Sequence, residues 1–315
     1  MGLLPVLDGR STVLKYIVTI TLLVNQLASV EAPYHEQLGY QPVHRGVISA
    51  EQAALWAAPN MRGLRFVILQ PAGGRPVYLR FIEDPSVDPP VAGTTYGWNA
   101  IENLVQDPDA LVRQLEGTAF TVVGPPKDLW KAPGAPRAMQ AIGPAREFLY
   151  FTRVIPSGFP IPMAPAATPV DRAFIMVVGG PSMAALQDFY GNALRLPVGK
   201  ASAWQIGVLS QALGLPMATT YPLAVAPMPK DFLVELDEYP APAKPRPVRG
   251  GSLPPGPAMV SFGVDDLDDF HLSWRAPPER IAEFPYNGQE AAVVVGPAGE
   301  WVELVEIAGL PSTRN

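Results

Sequence analysis

The sequence has no cysteine, so it excludes disulfide bonds, thiolate nucleophiles and cysteine-ligated metal sites. Histidine is scarce, at three residues, and only 17% of the 315 residues are charged. The net charge is -6, and no run of lysine or arginine offers the clustered basic surface that nucleic-acid phosphates require. We therefore expect no nucleic-acid partner, and the absence of cysteine fits a reducing, cytoplasmic location.

Long apolar runs are also lacking, because no stretch approaches the roughly 20 apolar residues of a membrane span. The run YIVTITLLV at 16–24 follows Arg10 and Lys15, which also allows a signal peptide. Asp8 in the basic region and Pro33 after the run favour instead a strand followed by a helix. We expect no membrane association.

Hydrophobic residues make up 48% of the chain, enough for a sizeable core, and the 38 prolines indicate many loops and strand boundaries. Two segments rich in proline interrupt the pattern, at 156–169 and at 239–257. The longer one has the composition of an extended connection without regular structure. The shorter one is the predicted domain boundary.

A repeat organises the rest of the chain. Four segments place an alternating strand after a turn marked by glycine or proline: 71–84, 143–154, 227–239 and 296–307. Four other strand-like runs precede them, at 16–24, 97–105, 172–178 and 258–264. A short amphipathic helix pattern follows each opening run, with Asp107 and Ser182 as predicted N-caps and the weakest pattern at 265–274.

The repeat predicts an α+β protein of four βαβββ modules, at about 13–84, 95–155, 170–239 and 257–307. One such module cannot cover its own sheet, so the modules should pack in pairs. We expect the first two to form an N-terminal domain at 1–156 and the last two a C-terminal domain at 170–315.

The segments VDRAFIMVVGGPSMAALQDFYGNALRL and GPAGEWVELVEI resemble the opening and the closing of a glyoxalase-type module. From about Val13 to Ile307 the chain resembles the vicinal-oxygen-chelate superfamily, which contains glyoxalases, bleomycin-resistance proteins and extradiol dioxygenases. The resemblance implies mixed sheets that curl around a cavity, with the first strand of each module beside its last.

In metal-dependent members of that superfamily, a histidine on the first strand and a glutamate on the last strand hold a divalent ion. The resemblance places Glu303, Glu235, Tyr78 and Tyr150 at the last-strand positions. These two tyrosines could donate hydrogen bonds to a ligand or simply fill space.

The first strands depart from this pattern, because no histidine occupies their ligand positions. Those positions hold Thr19, Ala100, Met259, and Ala173 or Phe174. The three histidines lie elsewhere, at His35, His44 and His271. We therefore expect a degenerate metal site and neither metal nor cofactor; the alternative is a divalent metal held by irregular ligands such as two glutamates with His44.

Glu303 and Glu235 are the main catalytic candidates, and the pairing of modules three and four would point both into one cavity. Buried carboxylates have raised pKa values, which suit acid–base chemistry. Glu102, beside Tyr150, is a third candidate in the N-terminal half. The candidate substrate-binding residues are Tyr78, Tyr150, Arg80, Met259 and Phe174.

Three functions remain open at this point. The first is a metal-independent enzyme of lyase or isomerase type that acts on an apolar or aromatic small molecule. The second is a metal-dependent enzyme, dioxygenase-like or glyoxalase-like, with irregular ligands. The third is a protein that binds and sequesters a small molecule without changing it. The predicted partner is a small molecule, and the protein is expected to be a monomer or a homodimer.

Overall fold

A computed structural model describes residues 13–155 and 163–307. Residues 1–12, 156–162 and 308–315 lie outside the described residues, so the ends of both predicted domains and the first half of the predicted boundary at 156–169 cannot be compared with it. Within the described ranges, no helix has the length and hydropathy that crossing a bilayer requires.

The first two modules each begin and end with a strand. The elements of module one are β1 (Leu14–Val24), α1 (Ala28–Leu38), β2 (Gln41–Val47), α2 (Ala50–Leu55), β3 (Arg65–Gln70) and β4 (Tyr78–Glu83). Those of module two are β5 (Gly97–Val105), α3 (Pro108–Leu115), β6 (Thr121–Asp128), β7 (Arg137–Ile142) and β8 (Phe148–Arg153). The apolar run near the N-terminus is therefore a strand, as predicted.

The last two modules follow the same order. Module three consists of β9 (Val170–Gly180), α4 (Met183–Asp188), β10 (Ser202–Gln205), α5 (Gly207–Ala212), β11 (Thr220–Met228) and β12 (Phe232–Glu238). Module four consists of β13 (Gly256–Val264), a short 3-10 turn (Leu267–Asp269), β14 (Glu279–Ile281), β15 (Gln289–Val295) and β16 (Trp301–Glu306).

Two of the predicted helix starts are confirmed by their caps. The Asp107 carboxylate accepts hydrogen bonds from the backbone N–H groups of Asp109 and Ala110, at 2.9 and 3.1 Å. The Ser182 hydroxyl accepts one from the N–H of Ala185 at 3.3 Å. These bonds satisfy donors that the first turn of a helix leaves free. In module four the weak pattern gives only the 3-10 turn.

The four modules form two curled, mixed sheets of eight strands each. In every module the first strand lies beside the last, as predicted, and the two run parallel: β1 with β4, β5 with β8, β9 with β12 and β13 with β16. The first sheet has the order β14-β15-β16-β13-β1-β4-β3-β2, and the second β10-β11-β12-β9-β5-β8-β7-β6.

The predicted pairing of the modules was wrong. Strand β1 pairs with β13, so module one shares a sheet with module four, while β5 pairs with β9 and joins modules two and three. Alternation along a strand shows which face is buried, but it does not show which other opening strand provides the antiparallel neighbour. The two sheets therefore do not correspond to the halves 1–156 and 170–315.

A large apolar cluster lies between the two sheets and draws on both of them. Two buried hydrogen bonds cross it. The Tyr34 hydroxyl donates to Glu147 at 2.5 Å, joining modules one and two, and the Tyr190 hydroxyl donates to Glu300 at 3.2 Å, joining modules three and four. Each glutamate follows a Gly-Pro-Ala turn, at 143–145 and at 296–298, so the repeat extends to this contact. The other face of each sheet, around which the sheet curls and which we call its inner face, remains available to form a site.

Candidate functional site

The second sheet curls around an open cavity of about 820 Å³. The register explains its floor: Glu102 on β5 lies opposite Tyr150 on β8 and Ile175 on β9. Two strands away, Glu235 on β12 lies opposite Val225 on β11. Because side chains alternate along a strand, these residues share one face, and all of them line the cavity. We call this space the second-sheet cavity.

The walls of the second-sheet cavity are aromatic, apolar and amide-bearing. Two tryptophans, one in the loop after β6 and one on β10, lie with glutamines from β7, β10 and α5. Lys127 and Asp128 are exposed at the rim, and the Asp128 carboxylate pairs with Arg137 at 3.2 Å. The tryptophans and glutamines are Trp130, Trp204, Gln140, Gln205 and Gln211. A cavity of this size and composition suits a small organic molecule.

The acidic groups of the floor are held largely away from water. Glu102 is only 7% exposed, and its burial raises the pKa of its carboxyl to about 7, although the neighbouring Thr152 hydroxyl lowers it somewhat. Burial, followed by the negative charges of Asp237 and Glu102, raises the pKa of Glu235 well above its usual value. Burial also raises the pKa of Asp237, two residues along the same strand face, to about 8. Among the described residues, none of these three carboxylates forms a salt bridge.

The corresponding face of the first sheet is filled rather than open. Glu303 is fully buried there, and its carboxylate accepts hydrogen bonds from the Trp56 indole at 2.8 Å, the Tyr286 hydroxyl at 2.9 Å and the Ser261 hydroxyl. The guanidinium of Arg80, also fully buried, lies 3.8 Å from the same carboxylate. We call this group of five residues the first-sheet site. Its glutamate and arginine side chains are closed off from solvent.

The prediction that Glu235 and Glu303 face one cavity was wrong, because the two residues belong to different sheets. The structure instead brings Glu235 together with Glu102 and Tyr150, the group that the sequence placed in the other half of the chain.

The remaining predicted binding residues lie away from the second-sheet cavity. Tyr78 and Met259 pack with the apolar residues of the first sheet, and Arg80 belongs to the first-sheet site. Phe174 points to the opposite side of β9 from Ile175 and is fully buried in the cluster between the sheets.

The donor set does not fit the divalent ion that the resemblance implies. Among the residues that the structure describes, no three histidine, aspartate or glutamate side chains come together as a metal site. In the first sheet the Arg80 cation stands beside Glu303, where it would repel a metal ion. His44 packs against Phe66 and Phe284, with ring centroids 5.7 Å apart in both cases, so it does not join Glu235.

Several residues of both sites escaped the sequence analysis. Asp237 had a signal, because it lies two residues after Glu235 and must share its strand face. Trp204 and Trp130 had none, since an isolated tryptophan in a short edge strand or a loop looks like any other core residue. Trp56 and Tyr286 lie between the opening and closing strands of their modules, in segments where the repeat gives no pattern.

Comparison with known proteins agrees with this architecture. No protein-family model matches the chain, and no curated protein sequence matches it. Among solved structures, glyoxalase I from Zea mays matches with a TM-score of 0.58 at 13% identity, over 92% of this chain and 92% of that one. A putative dioxygenase from Bacillus subtilis subsp. subtilis str. 168 matches with a TM-score of 0.59 at 11% identity, over 94% of this chain and 86% of the other. The chain therefore has the glyoxalase-like fold of these structures.

Proposed function

We propose that this protein is a small-molecule enzyme whose active site is the second-sheet cavity, with Glu102 as the group that transfers a proton. The observation that carries the proposal is the position of Glu102, which lines the floor of an 820 Å³ cavity while burial raises its pKa to about 7. A group with a pKa near the working pH is both a competent acid and a competent base. Few surface glutamates meet that condition.

The neighbours of Glu102 favour acid–base chemistry of lyase or isomerase type. Burial and the neighbouring acidic groups raise the pKa of Glu235 well above its ordinary value, which favours a protonated carboxyl that can donate a hydrogen bond to an oxygen or nitrogen of the substrate. Burial also raises the pKa of the Tyr150 hydroxyl well above 10, which keeps it a hydrogen-bond donor. A proton can thus be removed at Glu102 while Glu235 and Tyr150 stabilise the charge that develops.

The test follows exchange of substrate hydrogens for deuterium, because this assay can be run on a mixture of compounds before the substrate has been identified. The protein is incubated in D₂O with a mixture of aromatic and terpenoid-like compounds, and mass spectrometry follows deuterium uptake and mass changes. The wild type should label or convert at least one compound, and Glu102→Gln should do so about 100-fold more slowly or worse. Glu279→Gln, which changes an exposed glutamate of β14, is the matched control and should behave as the wild type. Equal labelling by Glu102→Gln and the wild type would contradict the proposal.

A sequestering protein is the second candidate, and the aromatic walls favour it. Trp130, Trp204 and the apolar residues of β9 and β11 could hold a ring system without any proton transfer. In the same incubation, a compound that is retained by the protein, yet recovered unlabelled and unchanged, would support this function instead.

A further inference from the structure

The two sheets carry a glutamate at the same place but give it different surroundings. Glu235 on β12 lies between Val225 of the hairpin partner β11 and Val177 of the opening strand β9. Glu303 on β16 lies between Val293 of β15 and Ser261 of β13 in the same way. The two carboxylates therefore occupy matching positions on the inner faces of matching sheets. The side chains around Glu303 can therefore be compared directly with those around Glu235.

In the first sheet a cation from the protein itself accompanies the glutamate. The Arg80 guanidinium lies 3.8 Å from Glu303, and its central carbon lies 4.8 Å from the centre of the Trp56 ring. The Tyr286 ring faces the same guanidinium at 5.7 Å. A positive charge is thus held between a carboxylate and aromatic faces, an arrangement that stabilises cations through both charge and ring electrons.

The second sheet has carboxylates at this place but, among the described residues, no basic side chain beside them. Glu102 and Glu235 line the cavity, and Asp237 is buried two residues after Glu235 on the same face of β12. Within the described ranges, no lysine, arginine or histidine pairs with any of the three. The buried Oδ1 of Asp237, a residue only 1% exposed, has no hydrogen-bond partner there. Lys127 is the single cationic lining residue, and it stands exposed at the rim.

The aromatic part of the arrangement, by contrast, is kept. Trp130, Trp204 and Tyr150 line the open space above the carboxylates. At the matching strand positions, Val177 replaces Ser261. Tyr150 replaces Arg80, so these positions of the second sheet provide no guanidinium beside its glutamate. The cavity there is open to a cation from outside.

We infer that the ligand of the second-sheet cavity is an organic cation, a protonated or quaternary amine carried on an apolar or aromatic body. This inference rests on the proposed function and names the substrate class of the same site. The positive group lies between the carboxylates of Glu102 and Glu235, with Asp237 buried beside Glu235, and the body packs against Trp204 and the apolar wall. Anionic molecules such as phosphates are excluded, because they would meet two acidic groups with no basic side chain among the described residues of the floor.

Proton release on binding follows from this arrangement. A cation interacts more strongly with an ionised carboxylate than with a neutral one, so binding lowers the pKa values of the floor. Protons that the free protein holds near neutral pH leave when the cation enters. Phosphate and Tris differ in their heats of ionisation. Titration calorimetry at pH 7 should therefore give different apparent binding enthalpies in the two buffers, and the sign of the difference should show that protons are released on binding.

The binding test compares three probes that share one ring system. They are 1-naphthylmethylamine, which is cationic, 1-naphthylmethanol, which is neutral, and 1-naphthoate, which is anionic. Calorimetry should find the amine bound at least about tenfold more tightly than the alcohol, with the acid weakest. Glu235→Gln should weaken the amine about tenfold and leave the alcohol within about twofold, and Glu279→Gln should change neither.

The outcomes separate this inference from the proposed function. If the alcohol or the acid binds as tightly as the amine or more tightly, the inference that the ligand is a cation is wrong. The inference is also wrong if neither Glu235→Gln nor Glu102→Gln changes the affinity for the amine. Failure of all three probes to bind would overturn it as well. Ile175→Trp, which fills the cavity floor, should abolish amine binding; persistence would put the amine at another place. Deuterium labelling that depends on Glu102 would still support the enzyme if the charge inference failed.

Discussion

The guanidinium of Arg80 and the carboxylate of Glu303 face each other at 3.8 Å with both side chains 0% exposed. Arg80 also donates to the Thr21 hydroxyl at 3.0 Å and to the Tyr286 hydroxyl at 3.1 Å. The pair lies where the resemblance implied a metal ligand. The pair is closed off from solvent, whereas Glu235 at the matching position of the second sheet lines an open cavity.

Removal of one member of this pair should destabilise the protein strongly. Arg80→Met leaves the Glu303 charge buried without a cation, which costs about 3–5 kcal/mol in comparable pairs. Urea denaturation followed by tryptophan fluorescence measures the change. The double variant Arg80→Met/Glu303→Leu should recover a large part of the loss, because the unpaired charge is gone. A single variant as stable as the wild type would show that the pair contributes nothing.

The two tyrosine–glutamate hydrogen bonds between the sheets should each stabilise the protein, by amounts similar to each other. Tyr34→Phe and Tyr190→Phe each remove one donor to a buried carboxyl group, and each should lower the free energy of unfolding by about 1–3 kcal/mol. Tyr96→Phe serves as the control, because among the described residues the hydroxyl of this half-buried tyrosine makes no hydrogen bond. Losses no larger than that of Tyr96→Phe would argue against a bridging contribution from these hydrogen bonds.

Stability should fall as the pH rises through neutrality. Burial raises the pKa of Glu147 and of Glu300 to about 7, whereas an unfolded glutamate titrates near about 4.3. Between these values the folded protein binds more protons than the unfolded chain, so the free energy of unfolding decreases with pH. The stabilisation is complete below about pH 4 and is lost by about pH 7 to 8, when the buried groups ionise.

The pH effect is measured by urea denaturation at intervals from pH 5 to pH 8.5. Glu147→Gln should flatten the curve, because a neutral amide cannot ionise in the folded state. The partly exposed Glu31, whose pKa is lowered by its hydrogen bond with Arg45, changes stability in the opposite direction only at pH values below this range. A curve that rises from pH 5 to pH 8 would show that these carboxyls are not buried as described.

The sequence was sufficient for the opening and closing strands of each module. Period-two alternation identified the four closing strands, strand-like apolar runs identified the four opening strands, and Asp107 and Ser182 located two helix starts, since these signals are local. The pairing of β1 with β13 was not predictable in this way, because it depends on contacts between residues some 240 positions apart. The separation of Glu235 from Glu303 follows from that same non-local choice.

The candidate site was predicted in part for a related reason. Glu235 and Tyr150 were identified from the last-strand positions that the resemblance implies, and Glu102 because alternation places it on the same strand face as Ala100. Their meeting in one cavity depends on which sheet each strand joins. The tryptophans of the cavity wall come from β10 and from a loop, where no periodic pattern marks the direction of a side chain.

The titration of Glu102 gives a direct measure of the second-sheet cavity. Glutamate labelled with carbon-13 at its carboxyl carbon should show a resonance that titrates with a midpoint of about 7 and that is absent in Glu102→Gln. The same variant should lower the pKa of Glu235, because the charge of Glu102 is one of the causes that raise it. If Glu102 acts as the base, kcat/KM for a substrate should increase with pH up to a plateau above about 7, and it should decrease instead if Glu102 acts as the acid. A midpoint between about 4 and 5, the range of an exposed glutamate, would contradict both the enclosure of Glu102 and its part in proton transfer.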